Sequence, residues 1–300
     1  MLRFLPDFIL GSLGFLLLGL NTFFWVPLLY SVAFLKRLIK AESFRNFCTK
    51  ISIWIGKGWI DGNRAIIRLT TKIDWDVTGL EKLPDKKSWV LIFSNHRSWV
   101  DIFVLQALFN HRLPFLKFFL KQELRTVPLM GLAWWALDFP YMKRYSKAVL
   151  AKHPELAGKD LETAREACRN FKKAPVSVIN FLEGTRFSPE KHMQKNSPYR
   201  NLLPPKAGGV AVVVEEMRDY LAGIVDVTIV YSPDRVTFWD LFSGRIKRII
   251  VNVDFFRVPD EISVGDYAND PEFAEKFRQW LNMLWGKKDM IIDSIKPHHC

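Results

Sequence analysis

Cysteine is scarce, with three residues in 300, at Cys48, Cys168 and Cys300. Their odd number and wide spacing exclude a disulfide framework and a Cys-x-x-Cys zinc site as organising features, and suit a reducing compartment. There is no Gly-x-Ser-x-Gly elbow to carry a serine nucleophile. Gly-x-Gly-x-x-Gly and metal-ligand spacings are missing too, so neither a dinucleotide nor a metal is implied. Internal repeats and low-complexity stretches are also lacking. One long stretch lacks charge altogether: no Asp, Glu, Lys, Arg or His falls between Asp7 and Lys36.

What is present points to a packed protein with anionic partners. Hydrophobic residues make up 49% and charged residues 25%, which supports a core and argues against disorder. Aromatics reach 14%, with 24 Phe and 11 Trp, rings that suit cores, interfaces and membrane boundaries. The net charge of +12 favours nucleic acid, acidic lipid or phosphorylated substrates.

The uncharged run from Phe8 to Leu35 holds 28 residues, more than the roughly 20 that a bilayer crossing needs. As one helix it would extend roughly 42 Å. Asn21, Thr22 and Pro27 interrupt it, and proline removes a backbone donor. Two forms fit: a single tilted spanning helix, or a hairpin turning between Asn21 and Pro27 within one leaflet, which the excess length and Pro27 favour. A cleaved signal peptide fits poorly, because the run is too long and Arg3 is the only basic residue before it. From Lys36 to Ile73 nine basic residues face two acidic ones, so the chain beyond Leu35 is expected to stay cytoplasmic. Ile51, Trp54, Ile55, Trp59 and Ile60 recur there at helical spacing. They suit either an interfacial helix on an anionic leaflet or a helix packed on the globular part. The expected division is a membrane anchor and interfacial segment over 1–64 and a globular domain over 65–300.

Strand-like and helix-like segments alternate beyond residue 65. Ser88–Phe93, Val176–Phe181, Ile224–Tyr231 and Ile249–Phe256 read as strands, with Leu113–Leu120 strand-sized. Asp101–Phe109, Pro128–Leu137, Asp160–Lys173 (capped by Asp160), Gly208–Tyr220 and Pro271–Trp285 read as helices. This alternation predicts an α/β fold with a mixed, mainly parallel sheet flanked by helices, preceded by a membrane-embedded helix or helical hairpin.

Four blocks gather chemically useful side chains. The first, Ser94 to Asp101, follows a strand and opens a helix. Its His96 has a near-neutral proton affinity, and Asp101 is placed to hold the other ring nitrogen. On one helix the pair would point about 140° apart, so they meet only if His96 precedes the first turn. A capping Asp beside a surface His is the plain alternative. The second, Phe119 to Gly131, offers Lys121 as a phosphate ligand and Leu124, Met130, Trp134 and Trp135 as an apolar wall; Met142, Lys143 and Arg144 follow. The third, Phe181 to Phe187, again follows a strand. Gly184 permits a tight turn, Arg186 suits bidentate phosphate recognition, and Glu183 would orient Arg186 or bind a substrate hydroxyl. In the fourth, Leu203 to Gly209, Pro205 stiffens the approach to a helix and Lys206 sits beside that helix's N-terminus. A solvated turn and an unliganded helix start are the plain readings of the last two.

The order Asn95-His96-x4-Asp101, Lys121-x-x-Leu124-x3-Pro128-x-x-Gly131, Glu183-Gly184-Thr185-Arg186, Pro205-Lys206 resembles the glycerophospholipid acyltransferases, specifically the 1-acyl-sn-glycerol-3-phosphate (lysophosphatidic acid) acyltransferases. The likeness covers about residues 70 to 235. Lys143 to Ser146, His153-Pro154 and Gly158 to Asp160 look more narrowly like bacterial inner-membrane acyltransferases of the YihG type. The resemblance implies His96 and Asp101 as catalytic residues. It implies Lys121, Arg186 and Arg144 as binders of the acceptor phosphate. Asn95, Glu183, Gly184, Thr185, Pro205 and Lys206 are the residues it implies for shaping the cleft. Leu182 stands where relatives often carry Pro, and Phe187 where they often carry a small polar residue, which bears on the turn and the acceptor preference.

The reaction so implied passes a fatty acyl group from acyl-CoA or acyl carrier protein to the sn-2 hydroxyl of the lysophospholipid acceptor, with no cofactor or metal. The expected setting is the cytoplasmic face of a bacterial inner membrane, in contact with the phospholipid bilayer. Two rivals stand beside it: a same-family enzyme with another lysophospholipid acceptor, and a non-enzymatic basic membrane-surface protein. Nucleic-acid binding is disfavoured, since the basic excess follows the apolar run and RNA-module aromatic motifs are missing.

Overall fold

The computed structural model describes residues 5–142, 152–153 and 158–296. Two long helices come first, α1 (Asp7–Leu38) and α2 (Glu42–Thr70), lying side by side. Helix α1 is continuous through Pro27, so the expected turn between Asn21 and Pro27 does not form; the chain reverses at residues 39–41 instead. The physical reason lies on the neighbouring helix. Asn21 Nδ2 donates to the Trp59 carbonyl (2.9 Å) and to Asn63 Oδ1 (2.9 Å), while Trp59 Nε1 donates to Thr22 Oγ1 (3.1 Å). The polar residues that looked like a turn are an interhelical joint. Close approach there depends on small residues: a Cβ on Gly62 would sit 2.3 Å from Asn21 Oδ1, and one on Gly58 2.5 Å from the Trp25 ring.

Helix α1 is about 48 Å long at 1.5 Å per residue and packs on the rest of the molecule along its whole length. Near its start a Cβ on Gly11 would meet the Trp239 ring, and Phe15 contacts Phe238, Trp239 and Phe242. Farther on, the Tyr30 hydroxyl donates to the Leu129 carbonyl, and Lys36 pairs with Asp138 at 3.0 Å. Phe8, Leu16, Phe23, Phe24, Phe34 and Leu38 remain exposed. Helix α2 is amphipathic and packed rather than free. Ile55 and Ile60 are buried and Trp54 is exposed, and the expected boundary near residue 65 falls inside this helix.

The elements that frame the site are β1 (Asp74–Thr78), β2 (Trp89–Ser94), α3 (Val100–Phe109), β3 (Leu116–Phe118), β4 (Leu120–Lys121), α4 (Met130–Ala136), β5 (Tyr141–Met142), α5 (Lys159–Phe171), β6 (Ser177–Phe181), α6 (Gly208–Met217), β7 (Leu221–Ser232), α7 (Phe238–Ser243), β8 (Arg248–Phe256) and α8 (Pro271–Ile295), joined by short helical turns. Gly158, at φ 79°, holds the cap position of α5 in place of the expected Asp160, because a residue without a Cβ enters the left-handed region freely. The main sheet runs β1-β8-β7-β2-β6-β3, and every pairing is parallel except β7 with β8. Strands β4 and β5 form a separate ladder.

Period-two alternation divides the core. Val90, Ile92, Ile179 and Val225 face α2, α3 and α7, whereas Leu91, Phe93, Val178 and Ile224 face α5, α6 and α8. Because β2 and β6 are adjacent and parallel, the loops that follow them emerge at the same edge of the sheet.

Candidate active site

Strand β2 ends at Ser94 and α3 begins at Val100, so His96 sits before the first helical turn. That placement lets the ring fold back onto its own helix. His96 Nδ1 and Asp101 Oδ2 are 2.8 Å apart. The same oxygen accepts from the backbone N–H groups of Arg97 (2.7 Å) and Ser98 (2.9 Å), and Oδ1 accepts from the Tyr231 hydroxyl (2.5 Å). Asp101 is fully buried and meets only donors. A carboxylate only accepts, so a neutral imidazole carries its proton on Nδ1 and keeps the Nε2 lone pair open. The imidazole also stacks on Phe181, with centroids 3.9 Å apart and planes 15° from parallel. Burial, and then the neighbouring Asp101 charge, keep the Tyr231 phenol well above its ordinary pKa, so it remains a donor.

Asn95 is also fully buried, but it is turned away from solvent. Its amide exchanges two hydrogen bonds with the Ile229 backbone, 2.8 and 2.9 Å, and ties the loop to β7.

The loop after β6 meets this first loop through Glu183. Glu183 Oε1 accepts the His96 N–H (2.9 Å) and Oε2 accepts the Leu203 N–H (3.0 Å). Burial pushes its carboxyl up to about 7, against these two bonds, which act downward. Glu183 therefore neither orients Arg186 nor faces a substrate hydroxyl; it clasps the His96 loop from below. The Phe187 N–H adds a second tie to the His96 carbonyl (2.7 Å), and the Lys206 N–H bonds the Leu182 carbonyl (2.8 Å). Gly184, at φ 66°, makes the tight turn. Thr185 Oγ1 and the Arg186 carbonyl both accept from Lys191 Nζ.

Two arginines serve different ends. Arg97 is consumed by the framework: it donates to Asp234 (2.6 Å) and the Asn201 carbonyl (3.2 Å) and lies over the Phe187 ring. Burial acts upward on the Asp234 carboxyl, but Arg97 and Lys296 outweigh it and hold it below the usual carboxylate range. Arg186 is exposed, with its guanidinium carbon 5.0 Å from the centroid of the Trp99 ring, and makes no ion pair among the described residues. This cation–π contact steadies the guanidinium, whose N–H groups suit an anionic ligand.

Lys121 is exposed at the end of β4 and shares no hydrogen bond or ion pair with the His96 loop among the described residues. Pro205 and Lys206 lead into α6 as expected. Arg144 lies outside the described residues. No three His, Cys, Asp or Glu side chains cluster to hold a metal among the described residues.

The contacts bring in residues that spacing did not single out. Helix α8 braces the 200–203 segment: Trp285 Nε1 donates to the Leu203 carbonyl (2.9 Å), and Asp289 accepts from the Arg200 and Asn201 N–H groups, each at 2.8 Å. Lys288 is fully buried against Asp226 (2.9 Å) and the Val227 carbonyl. Only the amphipathic period of residues 271–285 hinted that this helix reaches the site's framework.

A strand-end histidine held by a carboxylate, beside an exposed arginine on a tight turn, suits acyl transfer to a phosphorylated acceptor. Residues 74–232 match the family described as Acyltransferase, and the chain belongs to that family. The Arabidopsis thaliana 1-acyl-sn-glycerol-3-phosphate acyltransferase 3 is 24% identical over 257 residues, covering 80% of this chain and 61% of that protein. A Saccharomyces cerevisiae 2-acyl-1-lysophosphatidylinositol acyltransferase is 23% identical over 69% of this chain and 61% of its own. The mouse 1-acyl-sn-glycerol-3-phosphate acyltransferase epsilon is 26% identical over 70% of this chain and 59% of its own. The chain thus spans about three fifths of the length of these curated relatives. The fold is that of the Thermotoga maritima 1-acyl-sn-glycerophosphate (LPA) acyltransferase PlsC, with a TM-score of 0.51 at 18% identity, covering 94% of this chain and 98% of that one.

Proposed function

We propose that this acyltransferase moves a fatty acyl group from an acyl thioester to the sn-2 hydroxyl of 1-acyl-sn-glycerol-3-phosphate, giving phosphatidic acid. The observation that carries this reading is the 2.8 Å contact of His96 Nδ1 with Asp101, which leaves Nε2 for the hydroxyl proton, while the exposed Arg186 sits on the loop tied to the His96 carbonyl. Nε2 takes the hydroxyl proton as the oxygen attacks the thioester carbonyl carbon. Asp101 holds the ring and stabilises the imidazolium. When the tetrahedral intermediate collapses, the carbon–sulfur bond breaks, the imidazolium proton balances the departing thiolate, and neutral His96 is restored. A thioester is already activated, so the step calls for neither a covalent enzyme intermediate nor a prosthetic group.

Arg186 takes the acceptor phosphate. Lys121 is assigned the same ligand, and so is Arg144 by family resemblance. Asn95, Glu183 and Pro205 act by holding the loops in register. Residues 1–64 serve as the anchor: α1 lies in one leaflet with its exposed apolar strip in the acyl region, and α2, which continues past residue 64 to Thr70, ties it to the catalytic domain. The packing of α1 against Trp239 near one end and Asp138 near the other supports an embedded helix over a spanning one. The basic excess that follows the apolar run supports a cytoplasmic position for the catalytic domain, 65–300, and the family resemblance carries the assignment to a bacterial inner membrane.

The relative named for lysophosphatidylinositol favours testing other headgroups as well. Purified full-length protein is therefore assayed with lysophospholipids of differing headgroup, each with acyl-CoA and with acyl carrier protein as donor. Lysophosphatidic acid is expected to turn over fastest. Turnover of a different headgroup alone moves the acceptor assignment, and no acyl transfer with any pair refutes it.

A further inference from the structure

Where α1 ends and α2 begins, the two helices and α4 line an open concavity of about 520 Å³. Four cations line it, Lys36, Arg37, Lys40 and Arg45, against one carboxylate, Asp138; Trp135 supplies an apolar wall. Asp138 is already committed. It pairs with Lys36 at 3.0 Å, and its carbonyl accepts from Lys117 Nζ. Its φ of 57° lies in the left-handed region, sparsely populated by residues with a Cβ. Arg37, Lys40 and Arg45 are exposed, and none makes an ion pair among the described residues. Three unneutralised cations around one concavity repel one another until an anion enters.

The position of the cavity narrows the choice of anion. Lys36 is the first charge after the uncharged run, so the cluster begins where the apolar helix meets water. Phe34, Leu35 and Leu38 stand exposed beside it. A phosphate that carries its own acyl chains satisfies both surfaces at once. No lining residue belongs to the His96 or Glu183 loops.

We propose that this cavity binds the phosphate headgroup of an anionic bilayer glycerophospholipid, apart from the catalytic site and independently of turnover. The proposal rests on the membrane attachment inferred above, and the test separates the two. Calorimetric titration of the full chain with short-chain phosphatidylglycerol below its micelle concentration reads lipid binding without a bilayer, and the cavity's share is the part that the cavity variant loses. The wild type is expected to saturate, and Arg37→Ala/Arg45→Ala to lose one saturable site relative to it. Both arginines are exposed and unpaired, so the fold should survive their removal. The off-cavity variant Lys50→Ala/Arg68→Ala, on the exposed side of α2, should titrate like the wild type. Equal binding by the cavity variant, or equal loss in the off-cavity variant, overturns the proposal. Inorganic phosphate or coenzyme A binding as tightly as the lipid overturns the choice of ligand. Partition onto vesicles of phosphatidylcholine with roughly one-fifth phosphatidylglycerol reads attachment. The cavity variant should lose more than the roughly fivefold per cation expected of general surface attraction, and Lys50→Ala/Arg68→Ala no more than that. A wild type that titrates the soluble lipid but ignores vesicles refutes the attachment and leaves the cavity standing.

Discussion

The Tyr231 hydroxyl and Asp101 Oδ1 are joined at 2.5 Å, although 130 residues separate them in the chain. Strand β7 thereby fixes the free oxygen of the carboxylate whose other oxygen holds His96. Asp101→Asn replaces an acceptor by a donor among donors and favours the wrong imidazole tautomer. A loss of about 10³ to 10⁴ in kcat is expected, with the fold retained. Tyr231→Phe should be milder, costing about 1–3 kcal/mol of stability by leaving Oδ1 unpaired. Steady-state kinetics and urea unfolding check the pair. Wild-type turnover in Asp101→Asn would contradict the assignment.

Glu183 makes stability depend on pH. Its carboxyl titrates at about 7 in the fold, above the ordinary 4.5. Between those values the native chain holds a proton that the unfolded chain has released. Stability should therefore fall as pH rises from about 4.5 to 7, by on the order of 3 kcal/mol, and this group adds no slope beyond that window. Urea midpoints across the range should decline in the wild type, and in Glu183→Gln that decline should flatten. The glutamine amide would also face a backbone N–H, costing about 1–3 kcal/mol.

Arg186→Ala should act on the acceptor. Losing a charge-assisted contact raises the acceptor KM about 10- to 100-fold while the donor KM stays near its wild-type value. Lys121→Ala should follow more mildly. A selective rise in the donor KM would reassign Arg186.

The hairpin should loosen when its polar joint is removed. Asn21→Leu deletes the bonds to Trp59 and Asn63, and leaves Asn63 buried without a partner. Thermal unfolding in detergent should show a loss of about 1–3 kcal/mol. An unchanged midpoint would mean that α1 and α2 are held by apolar contact alone.

The same joint shows where reading from residues ran out. Asn21 and Pro27 look like a turn because the partners that satisfy Asn21 lie on α2, some 40 positions away. The His96 loop was legible because an apolar strand, a polar loop and a helix follow one another locally. So were the two buried strands β2 and β6, whose adjacency fixes the edge of the sheet where both loops emerge. Strand β1 escaped notice, since Asp74-Trp75-Asp76-Val77-Thr78 alternates with charge and lies at the sheet edge. Glu183 was visible as a candidate but not as a clasp, because its two partners are backbone groups 87 and 20 residues distant. Tyr231, Arg97 and Trp285 act through contacts that no spacing encodes.

The proposed mechanism assigns removal of the acceptor proton to His96 Nε2. Turnover of purified His96→Ala at saturating donor and lysophosphatidic acid tests it most directly. Turnover is expected to fall below about one-thousandth of wild type, with acceptor affinity unchanged. Turnover comparable to the wild type would contradict it.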